Sequence, residues 1–308
     1  MTEKKATRDG YGDALAELAV SNKDVVVLDA DLNDSTKSDF FREKAPNRFI
    51  NAGIAEQSLV GTAAGLAVSG KIPFASTFAI FSERAFEFMR NIVSRNALNV
   101  KLTGSHGGIH TGEDGKSAQA IEDLGIYRIL PNVVVLQPCD YVEAKKAVHA
   151  LAARNGPSYM RVLRNALPII HKDDYVFEIG KGEILREGKD AVIFATGVLV
   201  HEALAAAKLL EEKGIKVYVV NIHTIKPLDA ELVVKLADET RCVVTAEDHN
   251  IIGGLGSAVC EVLSQESPCR VLRIGLEDKF GESGKPAELY EKYGLNAKHI
   301  AEKVEKFL

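Results

Sequence analysis

The sequence predicts an α/β protein made of two doubly wound domains, the second smaller than the first, on three observations. Short, unbroken apolar runs such as Val25-Val-Val-Leu28 and Val133-Val-Val-Leu136 alternate with segments of helical periodicity, which is the pattern of parallel strands covered on both faces by crossover helices. The chain has 308 residues and is 46% hydrophobic, enough for two cores at the usual domain size of about 100 to 200 residues. From about Asn165 to Asp190 the periodicity lapses around Pro168, a Lys-Asp-Asp run and three glycines. That interval places a linker at 168–188 between domains at 1–167 and 189–308.

The elements follow in order from period and punctuation. An amphipathic helix is expected at about 9–22, then the buried strand Val25 to Asp31 and a short strand Arg48 to Asn51. A helix from about Ala55 to Ser69 stops at Gly70, followed by a strand Ile72 to Ser76, a helix Phe81 to Arg95 and a strand Val100 to Gly104. The stretch Gly104 to Gln119 holds five glycines and two histidines without apolar period, so it reads as a long functional loop. Helical pattern resumes at Ile121 to Ile126, then a strand Val133 to Leu136, a helix Tyr141 to Arg154 and a strand Ser158 to Val162. The second domain has strands at Ala191 to Ala195, Lys216 to Val220, Arg241 to Ala246 and Arg270 to Ile274, with helices between and a helical tail from about Ala297.

Composition narrows the function classes. No apolar run approaches the roughly 20 residues of a membrane span, and the polar N-terminal stretch has no apolar h-region, so a cytoplasmic location is expected. Net charge is -5 with Lys and Arg scattered along the chain, which offers no footprint for nucleic acid. Cys139, Cys242, Cys260 and Cys269 form no CxxC pair and read as reduced core residues, with no metal site expected.

Three clusters carry possible chemistry. Glu56, in Gly53-Ile-Ala-Glu56-Gln57, sits between a Gly-bearing turn and an Ala/Gly-rich helix. A carboxylate drawn out of water there could hold a proton near neutral pH unless a charge partner compensates, or it could simply complement a helix dipole. Phe78 and Phe81 lie three apart after a strand, with Arg84 three further on; they face either a flat ring or the ordinary core. The glycine loop offers His106, His110, Glu113 and Asp114 on a backbone that can approach a ligand closely. The i, i+4 histidines lack the regular helix and third ligand of a metal motif, so polar substrate contacts are the expected role. The Gly254-Leu-Gly256 and Gly281-Glu-Ser-Gly284 turns lack GxGxxG spacing and read as turn glycines.

Together, Gly53-Ile-Ala-Glu56-Gln57, Ser76-Thr-Phe78 with Phe81, Gly112-Glu-Asp114-Gly115 with Gln119-Ala-Ile-Glu-Asp-Leu, and Leu130-Pro-Asn-Val to Pro138-Cys-Asp140 resemble transketolase. Glu247-Asp-His-Asn and Lys279-Phe-Gly-Glu-Ser-Gly284 extend the resemblance into the second domain. It covers the whole chain but only the C-terminal half of an ordinary transketolase: a thiamine-pyrimidine-binding domain followed by a transketolase C-terminal-type domain. The chain therefore looks like one subunit of a split transketolase that uses thiamine diphosphate.

The resemblance implies roles by position. Glu56 would hydrogen-bond the pyrimidine N1′ and drive it to the imino form that deprotonates the thiazolium C2. Phe78 and Phe81 would pack on the pyrimidine with Arg84 beside them, and Asp31 and Leu32 would lie near the thiazolium. Arg8, Ser35, His106 and Arg164 match phosphate-contacting positions, and Asp114 matches the carboxylate that reads a substrate hydroxyl. Two departures stand out. Ala118 replaces a His of many transketolases, which leaves His110 as a candidate contact to the substrate hydroxyls, and Gln137 replaces an Arg.

The expected reaction is transfer of a two-carbon ketol group from xylulose 5-phosphate to ribose 5-phosphate. No Gly-Asp-Gly metal motif with its downstream Asn occurs, so the Mg2+ or Ca2+ ligands and the diphosphate site are expected on an N-terminal, diphosphate-binding partner subunit, in a heterotetramer of two chains of each kind. The rival readings are the beta subunit of a 2-oxo acid dehydrogenase, deoxyxylulose phosphate synthase, and a non-catalytic scaffold or regulatory subunit.

Overall fold

The computed structural model describes residues 3–308; Met1 and Thr2, part of the polar N-terminal stretch, lie outside the described residues. In chain order the first half carries β1 (Lys4–Lys5), β2 (Val25–Asp29), β3 (Phe49–Asn51), β4 (Ile72–Phe78), β5 (Lys101–Ser105), β6 (Val134–Leu136), β7 (Ser158–Val162) and β8 (Leu167–Pro168). The second half carries β9 (Glu183–Arg186), β10 (Ala191–Ala195), β11 (Val217–Asn221), β12 (Thr224–Lys226), β13 (Val243–Asn250) and β14 (Val271–Leu276).

Two sheets result. The first runs β12-β6-β7-β5-β4-β2-β3, parallel except for β12, and the second runs β14-β13-β10-β11-β9, parallel except for β9. The strands β2, β5, β7 and β10 are buried at every residue, as expected of sheets covered on both faces. On one face of the first sheet, Tyr11, Leu15 and Leu18 of helix Thr7–Ser21 pack with Phe41 and with Val148 and Leu151 of helix Tyr141–Ala153. On the other face, Leu59, Val60 and Ala63 of helix Glu56–Val68 pack with Met89, Val93, Leu124 and Tyr127. Asp140, Asp229 and Asn296 each cap a helix by accepting a backbone N–H from its first turn.

Three details differ from the sequence pattern. The interval 168–188 is not wholly irregular, because β9 lies inside it and pairs antiparallel with β11. β12, from the second half, crosses back to pair antiparallel with β6 at the edge of the first sheet. The helix expected over 81–95 is a run of short turns, α-helical at Ala79–Ser82, 3₁₀ at Glu83–Ala85, α-helical at Phe86–Phe88 and π at Met89–Ser94. The widened π turn buries Met89, Val93 and Ser94 together and delivers the Ser94 hydroxyl to the carbonyl of Pro131 at 2.6 Å. No helix of the described residues is long and apolar enough to cross a membrane.

Candidate active site

Strand register sets the site. Asp29 of β2 lies opposite Ser76 of β4, Phe78 of β4 opposite Ser105 of β5, and Ser105 opposite Val162 of β7, so these chain ends emerge side by side. The sheet order reverses at β2, with β3 on one side and β4 on the other. Ligands of open parallel sheets bind at such a switch point, beyond the carboxyl ends of the strands.

Helix Glu56–Val68 makes the crossover from β3 to β4 and begins with Glu56, which is 3% exposed. Arg84 Nε stands 3.6 Å from Glu56 Oε2 while its own side chain is mostly in solvent, so the buried carboxylate faces a half-free cation. Phe78 and Phe81 stack with ring centroids 5.5 Å apart. Both are partly exposed and belong to none of the hydrophobic clusters, which sets aside the reading as ordinary core aromatics. On its other side Phe78 stacks on His106 at 4.0 Å.

His106 follows β5 directly, in a left-handed conformation, with its Nδ1 2.9 Å from Ser105 Oγ. Burial, reinforced by the charges of Arg8 and Arg164, pushes its pKa down to about 3, so the imidazole is neutral at neutral pH. The two arginines come from opposite ends of the first domain. β1 pairs with β8, Leu163 donates its N–H to Thr7 Oγ1 at 2.7 Å, and Arg8 donates its N–H to the carbonyl of Leu163 at 3.2 Å. Arg8 Nη1 donates to the carbonyl of Ser35 at 2.8 Å, whereas its buried Nε has no hydrogen-bond partner. Burial holds the Arg8 pKa below its ordinary value; Asp9 opposes the shift and Arg164 adds to it. An unpaired buried donor costs about 1 to 3 kcal/mol, and between two guanidiniums it suits the oxygen of an anion.

Arg164 is ion-paired to Asp114 at 3.0 Å and to Glu113 at 3.4 Å, so the residue matched to phosphate and the residue matched to a hydroxyl meet each other. Asp31 is exposed, left-handed and accepts from Asn51 Nδ2 at 2.8 Å. The turn that carries Asp31, Leu32 and Ser35 is tied down by buried Asp29, which accepts from the Leu32 N–H (2.5 Å), the Thr36 hydroxyl (2.7 Å) and the Ser38 hydroxyl (2.8 Å). Asp29 and Asn51 are positioning residues that motif reading passed over; the only signal was Asp29-Ala-Asp31 at a strand end.

The glycine loop splits its histidines. It contains a 3₁₀ segment, Ile109–Asp114, kinked at Gly112. His106 faces Phe78, whereas His110 lies 5.5 Å from the Tyr290 ring of the second domain, its carbonyl accepting from Asn165 Nδ2 at 2.6 Å. The loop glycines also serve an end other than close approach to a ligand. A Cβ at Gly107 would strike Arg161, at Gly108 Asp248 and at Gly115 Ser283, so they admit neighbouring side chains of the protein itself.

One cluster of ligand-type side chains occurs among the described residues, with Cys139, Glu143 and His171 offering atoms within 4.8 Å of one another. These groups are already engaged. His171 lies between Asp140 (2.9 Å) and Glu183 (2.7 Å), and Glu143 accepts from the Cys139 N–H and from Asn221 Nδ2, both at 2.7 Å. Burial among carboxylates pushes the Cys139 thiol well above its ordinary pKa, the opposite of what a metal thiolate needs. The four cysteines are free.

Known proteins bear on this geometry. Residues 3–169 match the transketolase pyrimidine-binding domain and residues 180–300 the transketolase C-terminal domain. A putative transketolase C-terminal section of Methanocaldococcus jannaschii is 48% identical over 304 residues, covering 97% of this chain and 95% of that protein. A 6-deoxy-6-sulfo-D-fructose transketolase subunit of Clostridium sp. (strain MSTE9) is 42% identical over 97% of this chain and 93% of its own length. Human transketolase is 39% identical, and this chain spans 49% of it. Among solved structures, a split-gene transketolase described as an inactive beta4 tetramer superposes with a TM-score of 0.92 at 50% identity, over 98% of both chains.

Proposed function

The chain belongs to the transketolase family, corresponding to its pyrimidine-binding and C-terminal domains, and from that premise we propose that it carries the pyrimidine half of a thiamine diphosphate-dependent ketol-transfer site. The observation that carries the proposal is the convergence, on one sheet edge, of buried Glu56, the half-exposed Phe78–Phe81 stack and the Arg8–Arg164 pair. The residues fit the cofactor. A flat ring matches two stacked phenyl faces that the core leaves uncovered, and a buried carboxylate beside it suits a ring nitrogen that gains a proton.

Thiamine diphosphate, when bound, supplies the nucleophile that carries the two-carbon unit. Glu56 holds a proton at the pyrimidine N1′, with Arg84 beside it. Phe78 and Phe81 orient the ring and exclude water from that face. Arg8 and Arg164, with neutral His106 and Ser35 beside them, seat the anionic end of the sugar, and Asp114 reads a hydroxyl nearer the reacting carbon. Asp31 and Leu32 border the thiazolium, and His110 serves the substrate hydroxyls left without the histidine that Ala118 replaces. The diphosphate and its divalent metal belong to a partner chain with the diphosphate-binding domain, in an assembly of two chains of each kind.

The donor is a ketose phosphate such as xylulose 5-phosphate and the acceptor an aldose phosphate such as ribose 5-phosphate. A second reading, in which the anionic end is a sulfonate, is supported by the Clostridium relative and by the neutral His106, since two guanidiniums alone suit a monoanion as well as a dianion. The test is reconstitution with the partner chain, thiamine diphosphate and Mg2+. Xylulose 5-phosphate plus ribose 5-phosphate should give a three-carbon aldose phosphate and a seven-carbon ketose phosphate, and Glu56→Gln should lower turnover about 100-fold or more. Turnover of a 2-oxo acid in place of the sugars, full activity of this chain alone, or an unimpaired Glu56→Gln assembly would refute the reading.

A further inference from the structure

We propose that the second domain templates the glycine loop of the active site, and that Asp248 is the positioning residue through which it does so; the inference rests on the ketol-transfer reading above. Asp248 lies in β13, is fully buried, and spends its carboxylate on the loop. Its Oδ1 accepts the Ile109 N–H at 2.9 Å, and its Oδ2 accepts the His110 N–H at 3.0 Å and the Tyr290 hydroxyl at 2.9 Å. Two successive backbone amides on one carboxylate fix the orientation of two peptide planes, and charge-assisted bonds of this kind are about twice as strong as neutral ones.

The carboxylate fits only because residue 108 has no side chain. Gly108 has φ +74°, and a Cβ there would overlap the Asp248 carboxylate. Neighbouring bonds repeat the pattern. The Asp248 carbonyl accepts from Arg161 Nη1 at 2.7 Å, and Arg161 Nη2 donates to the carbonyl of Ala120 at the far end of the loop. Asn250 donates its N–H to the carbonyl of Ile121 at 2.8 Å, and Gln119 Nε2 donates to the carbonyls of Gly112 and Glu282 at 3.0 and 2.9 Å. The loop ends are closed on each other by the hydrogen bond from Gly108 N–H to the Ala120 carbonyl at 2.6 Å. The loop thus rests on residues of the second domain, while His106 and Asp114 project from its other side toward Phe78 and Arg164.

Asp248 touches neither Glu56 nor the phenyl stack, so its removal should spare cofactor binding and weaken sugar binding. In the complex reconstituted with its partner chain, Asp248→Asn should raise the KM for the ketose phosphate donor about tenfold, leave thiamine diphosphate affinity by calorimetry within twofold, and speed hydrogen–deuterium exchange of the amides at 106–119. Tyr290→Phe, which deletes one hydroxyl and is compatible with folding, should shift KM and loop exchange in the same direction by a smaller factor. Unchanged loop exchange in both variants overturns the inference, as does a KM within twofold of the parent together with normal turnover. Exchange is read without turnover, so an assembly that fails to transfer ketol groups refutes the functional reading and leaves the loop measurement to decide this one.

Discussion

Arg8 would carry much of the proposed anion site. Its Nη1 is spent on the Ser35 carbonyl, its Nε is buried without a partner, and the neighbouring guanidinium of Arg164 is already shared with Asp114 and Glu113. The net positive charge available to an incoming anion is therefore mostly that of Arg8, because His106 is held neutral. Arg8→Ala should raise the KM for a sugar phosphate by about 10- to 100-fold, the equivalent of losing a hydrogen bond to a charged group, with thiamine diphosphate affinity unchanged by calorimetry; an unaltered KM would place the anion elsewhere. Residues of this kind were legible to different degrees. Phe78 and Phe81 stand beside each other in sequence, so their pair could be read locally, whereas Glu56 was ambiguous by itself, its partner Arg84 being distant along the chain, and gained a role only through resemblance. Arg8 and Arg164 were reached only through resemblance, because the β1–β8 pairing that unites them leaves no local trace. Asp248 stood within the Glu247-Asp-His-Asn stretch of the resemblance but showed no role, since its partners Ile109 and His110 are remote and are contacted through backbone amides that any residue type would present.

At the scale of elements, strand positions were legible because strands buried on both faces are apolar without interruption, and β2, β5, β7 and β10 lie within a residue of the expected ranges or inside them. The helix expected over 81–95 is instead a succession of α, 3₁₀ and π turns over 79–94, because its apolar residues recur at near-helical intervals whatever the winding and periodicity cannot distinguish these turns. The glycine loop was expected to let the backbone approach a ligand closely, and three of its glycines, Gly107, Gly108 and Gly115, make room for protein side chains instead. They admit Arg161, Asp248 and Ser283, so the loop is packed on one side and available on the other. Gly108→Ala tests this at the element scale. A side chain at φ +74° against the Asp248 carboxylate combines backbone strain of about 1 to 3 kcal/mol with overpacking of similar size. The variant should lose about 2 to 5 kcal/mol in denaturant unfolding, whereas a loss of only about 1 kcal/mol, the low end of the backbone strain alone, would show that the Asp248 carboxylate does not crowd residue 108.

The whole molecule is joined by a second buried device. His171, in the crossing between β8 and β9, lies between Asp140, which caps helix Tyr141–Ala153 of the first domain, and Glu183 on β9 of the second sheet. Burial opposes its charge, but the hydrogen bonds it donates to Asp140 and Glu183 and the nearby charge of Glu143 outweigh burial and raise its pKa to about 10. The Tyr175 ring lies tilted against the imidazole with centroids 4.1 Å apart, and His201, whose Nε2 bonds the Cys139 carbonyl, has its own pKa lowered by burial and by the repulsion of His171. The consequence for stability has a definite sign. The folded pKa of His171 lies above the unfolded value of about 6.5, so the folded state binds the extra proton between those values. Its stabilisation is complete below about pH 6.5 and drains away as pH rises toward 10, at up to about 1.4 kcal/mol per pH unit. Buried Lys101, whose pKa burial depresses to about 7, contributes the opposite slope across part of that window, so wild-type stability alone would conceal the effect. The quantity to measure is the difference in unfolding free energy between wild type and His171→Gln. That difference should be constant below pH 6 and shrink steadily from pH 7 to 10, and a difference independent of pH would mean that the two domains are not joined through a charged imidazole.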